Sequence, residues 1–234
     1  MRRLILATLL AVMAAAQSAT AADALPYGSS LSFAAFRNGQ QIGHHTVTFE
    51  LHGSEITAST SVDFAVEMLG IVVYRYQHRG QETWNGNTFV GLSSETDDNG
   101  KKYRVEVIRD AAGLKVVRVP RTSAIQASTA YVGFRPSEMV EEIVPAQLMP
   151  STQWNLRQVR QSSLISPQYG TQAHVQVAPV GRETIRTATG SLQAVRYRYS
   201  GDLRMDQWFD DSDRWVKASF IAHDGSTVEY ILQE

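Results

Sequence analysis

Residues 56–67 read ITASTSVDFAVE. Ile56, Ala58, Val62, Phe64 and Val66 fall on one parity, and Thr57, Ser59, Ser61, Asp63 and Glu67 on the other. Side chains of a strand alternate between faces, so the segment reads as a strand with one face in a core and one in water. The run before it, 42–51, repeats the pattern, with Val47, Phe49 and Leu51 against Thr46, Thr48 and Glu50. Turn signals separate the runs: Asn38-Gly39, His52-Gly53-Ser54, Asn85-Gly86, Asn99-Gly100 and Ala112-Gly113. Asn-Gly between alternating runs is the strongest short hairpin signal. The N-terminal half therefore reads as an antiparallel meander with strands at 29–37, 41–51, 56–67, 71–84, 88–96, 102–110 and 114–120.

The alternation fails between 121 and 170, a stretch punctuated by Pro136, Pro145, Pro150 and Pro167. Pro136-Ser137-Glu138 is expected to open a short helix that ends before Pro145. Ser151 is the expected N-cap of a second, 152–161, bearing Trp154, Leu156 and Val159. Alternation returns at 172–179, 191–200, 202–210, 214–223 and 226–233. The middle is too apolar for a flexible tether. The fold expected is mainly β: one domain over 22–234, a curled antiparallel sheet forming an open or nearly closed barrel. Short helices, in the segment 136–161, lie against the opening. Two separate β domains are the alternative.

Residues 1–21 stand outside this fold. Arg2 and Arg3 precede an apolar run, Leu4 to Ala16, that is too short for a membrane span, and Ala19-Thr20-Ala21 is a small-x-small cleavage site. This is the pattern of a secretory signal peptide cleaved near Ala21, and it leaves no transmembrane segment in the mature chain. The arginine pair lacks the flanking residues of a twin-arginine signal. Cleavage removes two arginines and no acid, taking the formal charge from −1 to −3. A chain with that balance has no electrostatic footprint for nucleic acid. With no cysteine there is no disulfide and no lipidation site at the cleavage point. The expected location is the periplasm, or outside the cell.

The acid-rich stretch 202–220, DLRMDQWFDDSDRWVKASF, reads as a hairpin around Asp211-Ser212. That register sets Trp208 opposite Trp215, Asp206 opposite Lys217 and Phe209 opposite Arg214, and it leaves Asp210, Asp211 and Asp213 as turn residues. A calcium loop is the rival, but the glycine and distal glutamate of such loops are missing. The two tryptophans either pack beneath Trp154 and its neighbours or form an aromatic wall for a ligand or partner. In strand 71–84, Val72, Tyr74, Tyr76, His78, Glu82 and Trp84 share a face. They make either a core whose polar tips find backbone partners or a cavity lined by aromatics and a few polar groups. His44 and His45 are strand neighbours, so they face opposite ways and cannot hold one metal. No H-E-x-x-H, G-x-S-x-G, P-loop or G-x-G-x-x-G pattern occurs. No catalytic residue, metal ligand or cofactor is assigned, and a dispersed Ser/His/Asp site is the only enzymatic option left open.

Trp154-Asn155, Gly190 before Ala194-Val195-Arg196-Tyr197, Gly201-Asp202-Leu203, Trp208, Trp215-Val216, and Asp224-Gly225-Ser226 followed by Glu229-Tyr230-Ile231-Leu232 carry a resemblance. The chain resembles an uncharacterised family of exported bacterial proteins known only as a domain of unknown function. In pattern, and more distantly, it is similar to the periplasmic half-barrels of the lipoprotein-carrier (Lol) type. That likeness implies a lipid or lipoprotein ligand between sheet and short helices, and it transfers no catalytic residue. The expected function is non-enzymatic binding of an apolar or amphiphilic ligand, with Tyr74, Tyr76, His78, Trp84, Trp154, Trp208 and Trp215 as its lining. The alternative is an envelope scaffold that binds another protein through a sheet edge or an aromatic face.

Overall fold

A computed structural model describes residues 25, 27–119 and 139–233. The expected signal peptide, 1–21, and the start of the first expected helix, 136–138, lie outside them. Among the described residues, fourteen strands make one antiparallel sheet. They are β1 (Ser30–Arg37), β2 (Gln40–His52), β3 (Glu55–Met68), β4 (Ile71–Asn85), β5 (Thr88–Asp98), β6 (Lys101–Arg109), β7 (Leu114–Arg118), β8 (Val140–Val144), β9 (Ser163–Ile165), β10 (Gln172–Thr187), β11 (Gly190–Gly201), β12 (Met205–Asp210), β13 (Trp215–Ile221) and β14 (Thr227–Leu232). The spatial order is β8-β7-β6-β5-β4-β3-β2-β1-β14-β13-β12-β11-β10-β9. The N-terminal and C-terminal meanders are thus one sheet, joined where β1 pairs with β14, Phe33 opposite Leu232.

The sheet curls but does not close. Its outermost strands, β8 and β9, are not paired with each other. The chain between them, 145–162, forms a strap. Its residues 149–151 dock on β9 through a parallel bridge, Pro150 to Ile165, with Ile165 N–H donating to the Met149 carbonyl and Ser151 N–H to that of Ile165. The inward face of the sheet and the strap make the core, which includes Leu31, Phe33, Val47, Phe49, Trp84, Val105, Leu114, Leu148, Leu164, Phe209 and Leu232. The strand alternation read from 42–67 holds: Val47, Phe49, Ala58 and Val62 are buried, while Thr48 and Glu50 are exposed.

Four departures from the sequence reading have physical causes. Where the first helix was expected, Val140–Val144 is the edge strand β8. Its β-branched ends suit a sheet, Val144 is buried, and Glu141 pairs with Lys115 of β7 at 2.7 Å. The second helix shrinks to one 3-10 turn, Leu156–Arg160, capped by Asn155 and not by Ser151; the Asn155 side chain accepts from Arg157 N–H at 3.0 Å. Strand β10 runs on to Thr187, because a bulge at Pro179/Gly181 absorbs the proline, which has no N–H to give the ladder.

The fourth is the hairpin of the tryptophans. Trp208 lies opposite Lys217 and Asp206 opposite Ser219, and the ladder then skips Val216, setting Phe209 against Trp215. The turn is longer than the two residues assumed. Asp210 caps it, accepting from Ser212 N–H and Arg214 N–H at 3.0 Å each, and Asp213 takes a left-handed φ of 60°. The bulge turns both Trp215 and Val216 inward, and both are fully buried. Trp208 therefore does not face Trp215; the two lie on opposite sides of the sheet.

Candidate functional site

Strand β4 supplies most of the inner surface that the sequence singled out. Alternation turns Tyr74, Tyr76, His78, Glu82 and Trp84 to the lumen, with Gly80 between. At one end, Trp154 of the strap comes in from outside the sheet. Its ring stands edge-on to Trp84 at 5.6 Å and to Phe49 at 5.2 Å. The carboxyl of Glu82 lies between the two indoles and accepts from Trp84 Nε1–H at 3.0 Å and Trp154 Nε1–H at 3.4 Å. Burial pushes the pKa of Glu82 up to about 8, against the opposing pull of the indole hydrogen bonds. The group is mostly neutral at pH 7.

Halfway along the lumen, pairing across β2, β3 and β4 puts His45, Val62 and His78 in one row. His78 Nδ1 lies 2.8 Å from the Thr96 hydroxyl. Burial lowers its pKa to about 4. Burial, then the neighbouring His78, lowers that of His45 to about 3. Both imidazoles are neutral at pH 7. His45 sits among Trp215, Tyr230 and Phe33, at ring separations of 5.2, 5.1 and 6.2 Å, and neither of its nitrogens has a hydrogen-bond partner among the described residues. Gln158, the Gln207 carbonyl oxygen and the Tyr199 hydroxyl are buried in the same state.

At the other end the turn 166–170 reaches in. Ser94 donates to the Pro167 carbonyl, Tyr76 OH to Gln168 at 3.2 Å, and Tyr169 meets Tyr103 edge-on. Tyr76 stacks on Phe64 at 5.7 Å. Tyr74 donates to Asp98 at 2.8 Å, and burial raises the pKa of both tyrosines.

Six of the seven expected lining residues, Tyr74, Tyr76, His78, Trp84, Trp154 and Trp215, thus share the inner face, where the three tryptophans are part of the packed core. Trp208 is on the outer face. Arg196 and Lys217 cover its ring at 5.2 and 5.1 Å, and its indole donates to Glu183 at 3.0 Å. The expected lining left out His45 and Tyr230, and also Glu82, although the sequence had put Glu82 on the same face. The first was available in the sequence, since His45 has the parity of Val47 and Phe49. Gln158 and Gln207 left no such trace, because their burial depends on the strap and on the register of β12.

Two clefts lie away from these groups. One, about 410 Å³, runs over β2–β5 with a hydroxyl-rich lining that includes Thr46, Thr48, Ser59, Ser61 and Ser93, beside Arg79, itself held by Asp63 at 2.8 Å. The other, about 450 Å³, lies over β10 and β11 by His174 and Asp202. No three His, Asp or Glu side chains among the described residues stand close enough to hold a metal ion. No helix among them is long and apolar enough to cross a membrane.

A family model for a domain of unknown function, DUF6134, matches residues 33–233. The chain belongs to that family. The match takes in nearly every strand of the DUF6134 sheet, from β1 to β14. In shape, the DUF6134 chain is similar to a crystal structure of a β-barrel-like protein of another domain of unknown function, DUF1849, from Brucella abortus. The TM-score is 0.57 at 7% identity, over 88% of this chain and 95% of that one. The likeness is one of fold. No curated protein matches the DUF6134 chain.

Proposed function

We propose that this protein is a non-enzymatic binder of an apolar or amphiphilic ligand, a lipid or acyl chain, taken between the concave face of the sheet and the strap, in the periplasm or outside the cell. The observation that carries the reading is the mixed character of the inner wall. Large aromatics dominate it, yet His45, Gln158, Tyr199 and Gln207 bury polar atoms that pair with no described residue. Leaving a buried polar group unpaired costs about 1–3 kcal/mol each, and natural proteins keep few such groups without a use. A ligand with a long apolar part and a few hydrogen-bonding atoms matches both halves of that wall. The unclosed seam between β8 and β9, spanned by a strap with little regular structure, offers a route by which the interior can open. Titrating groups on the wall are neutral at pH 7, which suits an uncharged or buried section of the ligand better than a free ion.

The test is native mass spectrometry of residues 22–234 purified without detergent, followed by solvent extraction. A reproducible added mass that extracts as lipid is expected, as is uptake of a fluorescent fatty acid by the stripped protein. An apo mass together with no uptake would sink the reading.

A second reading is a scaffold that adds a partner's strand to β8. It is favoured by the outer edge of that strand, unpaired among the described residues, and by Ile143, 51% exposed beside it. Hydrogen-exchange protection of 140–144 on adding an extended peptide would support it, and unchanged exchange would count against it.

A further inference from the structure

Half of the large exposed apolar side chains of the described residues stand at one place. Met68, Leu69, Ile71, Val72 and Val73, at the tip of the β3–β4 hairpin, are 62%, 102%, 67%, 40% and 46% exposed. Pairing of β3 with β2 ends at Phe64, and pairing of β4 with β5 ends at Tyr76. Arg75 is still tied to Asn99 of the β5–β6 turn by two hydrogen bonds; beyond it the hairpin continues as a free two-stranded ribbon, Val66 opposite Tyr74 through Met68 opposite Ile71. Three residue pairs and a turn carry it about 10 Å past the rim of the sheet.

The turn residue is the most telling. Three hairpins share one geometry, with left-handed φ at both turn positions: Asn38-Gly39 at 48° and 83°, Asn99-Gly100 at 51° and 88°, and Leu69-Gly70 at 52° and 78°. Asparagine and glycine adopt this conformation readily, and leucine does so poorly. In the first two turns the sequence follows that preference. In the third it places a leucine in the disfavoured conformation and in full contact with water. Neither turn chemistry nor packing against the described residues accounts for Leu69.

We propose that this ribbon is a docking wedge for the interfacial region of a lipid bilayer. Successive pairs of a hairpin point to opposite faces, so Met68 with Ile71 clothe one side of the ribbon and Val72 the other, and Leu69 crowns it. A flat protein surface could cover one side of such a tip. A fluid interface surrounds all of it. The residues below the tip match that depth order: half-buried Tyr74 and Tyr76, aromatic rings with hydroxyl ends, come next, the residue type that gathers at membrane–water interfaces. Arg75 at the base of the ribbon and Lys101 at the start of β6 are exposed and make no salt bridge within 4 Å among the described residues, Arg75 feeling only the field of Asp97, so both can turn to lipid phosphates. Of the nearby acids, Asp98 is held by Tyr74 and Asp97 by Lys102; Glu67 is the acid left on the ribbon. Five side chains make a reversible contact, not an anchor.

The test is flotation of the mature chain with vesicles of phosphatidylethanolamine and phosphatidylglycerol in equal parts, for the wild type and Leu69→Asn. The substitution restores the Asn-Gly turn of the other two hairpins, so it is expected to leave the melting temperature unchanged or to raise it. Losing one buried leucine should weaken vesicle partitioning about thirtyfold. A wild type that does not float, or a variant that floats equally well, overturns the proposal. So does a wild type that stays off vesicles but self-associates through the tip, seen as a dimer in sedimentation that Leu69→Asn abolishes. None of these readouts depends on whether the lumen holds a ligand.

Discussion

Replacing Glu82 with glutamine should remove the alkaline limb of this protein's stability profile. In the folded chain, burial holds the carboxyl at a pKa of about 8, against an ordinary value of 4.5. An acid raised in this way is protonated when folded and ionised when unfolded throughout the window between those values. The unfolded state therefore binds fewer protons there, and stability falls as pH rises, by about 1.4 kcal/mol per unit. The buried histidines act in the other sense. His45 and His78 lie well below their ordinary 6.5 when folded, so their contribution is intact above pH 6.5 and is lost as pH falls below it. Above 6.5 their slope fades and that of Glu82 comes to dominate. Below 6.5 two histidines outweigh one glutamate. These three groups together put the maximum of stability close to pH 6.5. From there to pH 8 the carboxyl alone removes about 1.5 kcal/mol, allowing for its partial ionisation at the upper end. Urea denaturation followed by tryptophan fluorescence at pH 6.5, 7.2 and 8.0 measures this directly. Glu82→Gln costs a constant amount, since its amide cannot accept from both indoles, but its stability should not fall across the window relative to the other groups. Equal slopes for wild type and variant would refute the argument, because every other titrating group cancels in the comparison.

Other outcomes follow from the same geometry. His45→Leu removes two unpaired buried nitrogens and should raise stability by about 1–2 kcal/mol, while flattening the profile below pH 6.5; a loss of stability in urea would mean that the imidazole has a partner. Trp215→Ala should cost about 3–5 kcal/mol, as a buried aromatic does. Trp208 is buried too, but beneath the charges of Arg196 and Lys217, so the cost of Trp208→Ala should shrink in high salt while that of Trp215→Ala does not. Equal salt dependence would contradict the assignment of the two rings to opposite faces. Gly43 has φ +157°, and a Cβ there would lie 1.8 Å from the Asp63 carbonyl oxygen. Gly43→Ala should therefore destabilise by about 3 kcal/mol or more, checked by thermal melting, whereas Gly39→Ala meets no neighbouring atom and suffers only the strain of its turn.

Much of this architecture was legible in the sequence because a two-residue period carries over many residues. Strands β1 to β7 each contain an alternating run, and their turns carry Asn-Gly or Gly signals, so their limits lie within two residues of the alternation. The local signal weakened where tertiary contacts decide. Val140–Val144 is too short to show a period, and it is a strand because β7 offers it an edge. The strap has no regular pattern because its conformation is set by one indole reaching Glu82 and by three residues docked on β9. The site divided in the same way. Tyr74, Tyr76, His78 and Trp84 followed from strand parity, whereas Trp154 reaches in from the strap, and a single bulged residue, Val216, turns Trp215 inward and leaves Trp208 alone on the outer face. Glu82 was on the right face in the sequence, and its meaning came only when two tryptophans from distant segments closed on it.

The pairing of β1 with β14 has a consequence for how the chain is made. Phe33 and Leu232 meet across roughly two hundred residues, so the central seam of the sheet is its least local contact and its slowest to form. The N-terminal strands can zip hairpin by hairpin as they appear, yet β1 keeps an open edge until 227–232 have been synthesised. During that interval the growing polypeptide displays an unpaired strand of alternating apolar residues, the template on which chains mispair with one another. A holdase that occupied that edge during synthesis would therefore shield the whole nascent molecule.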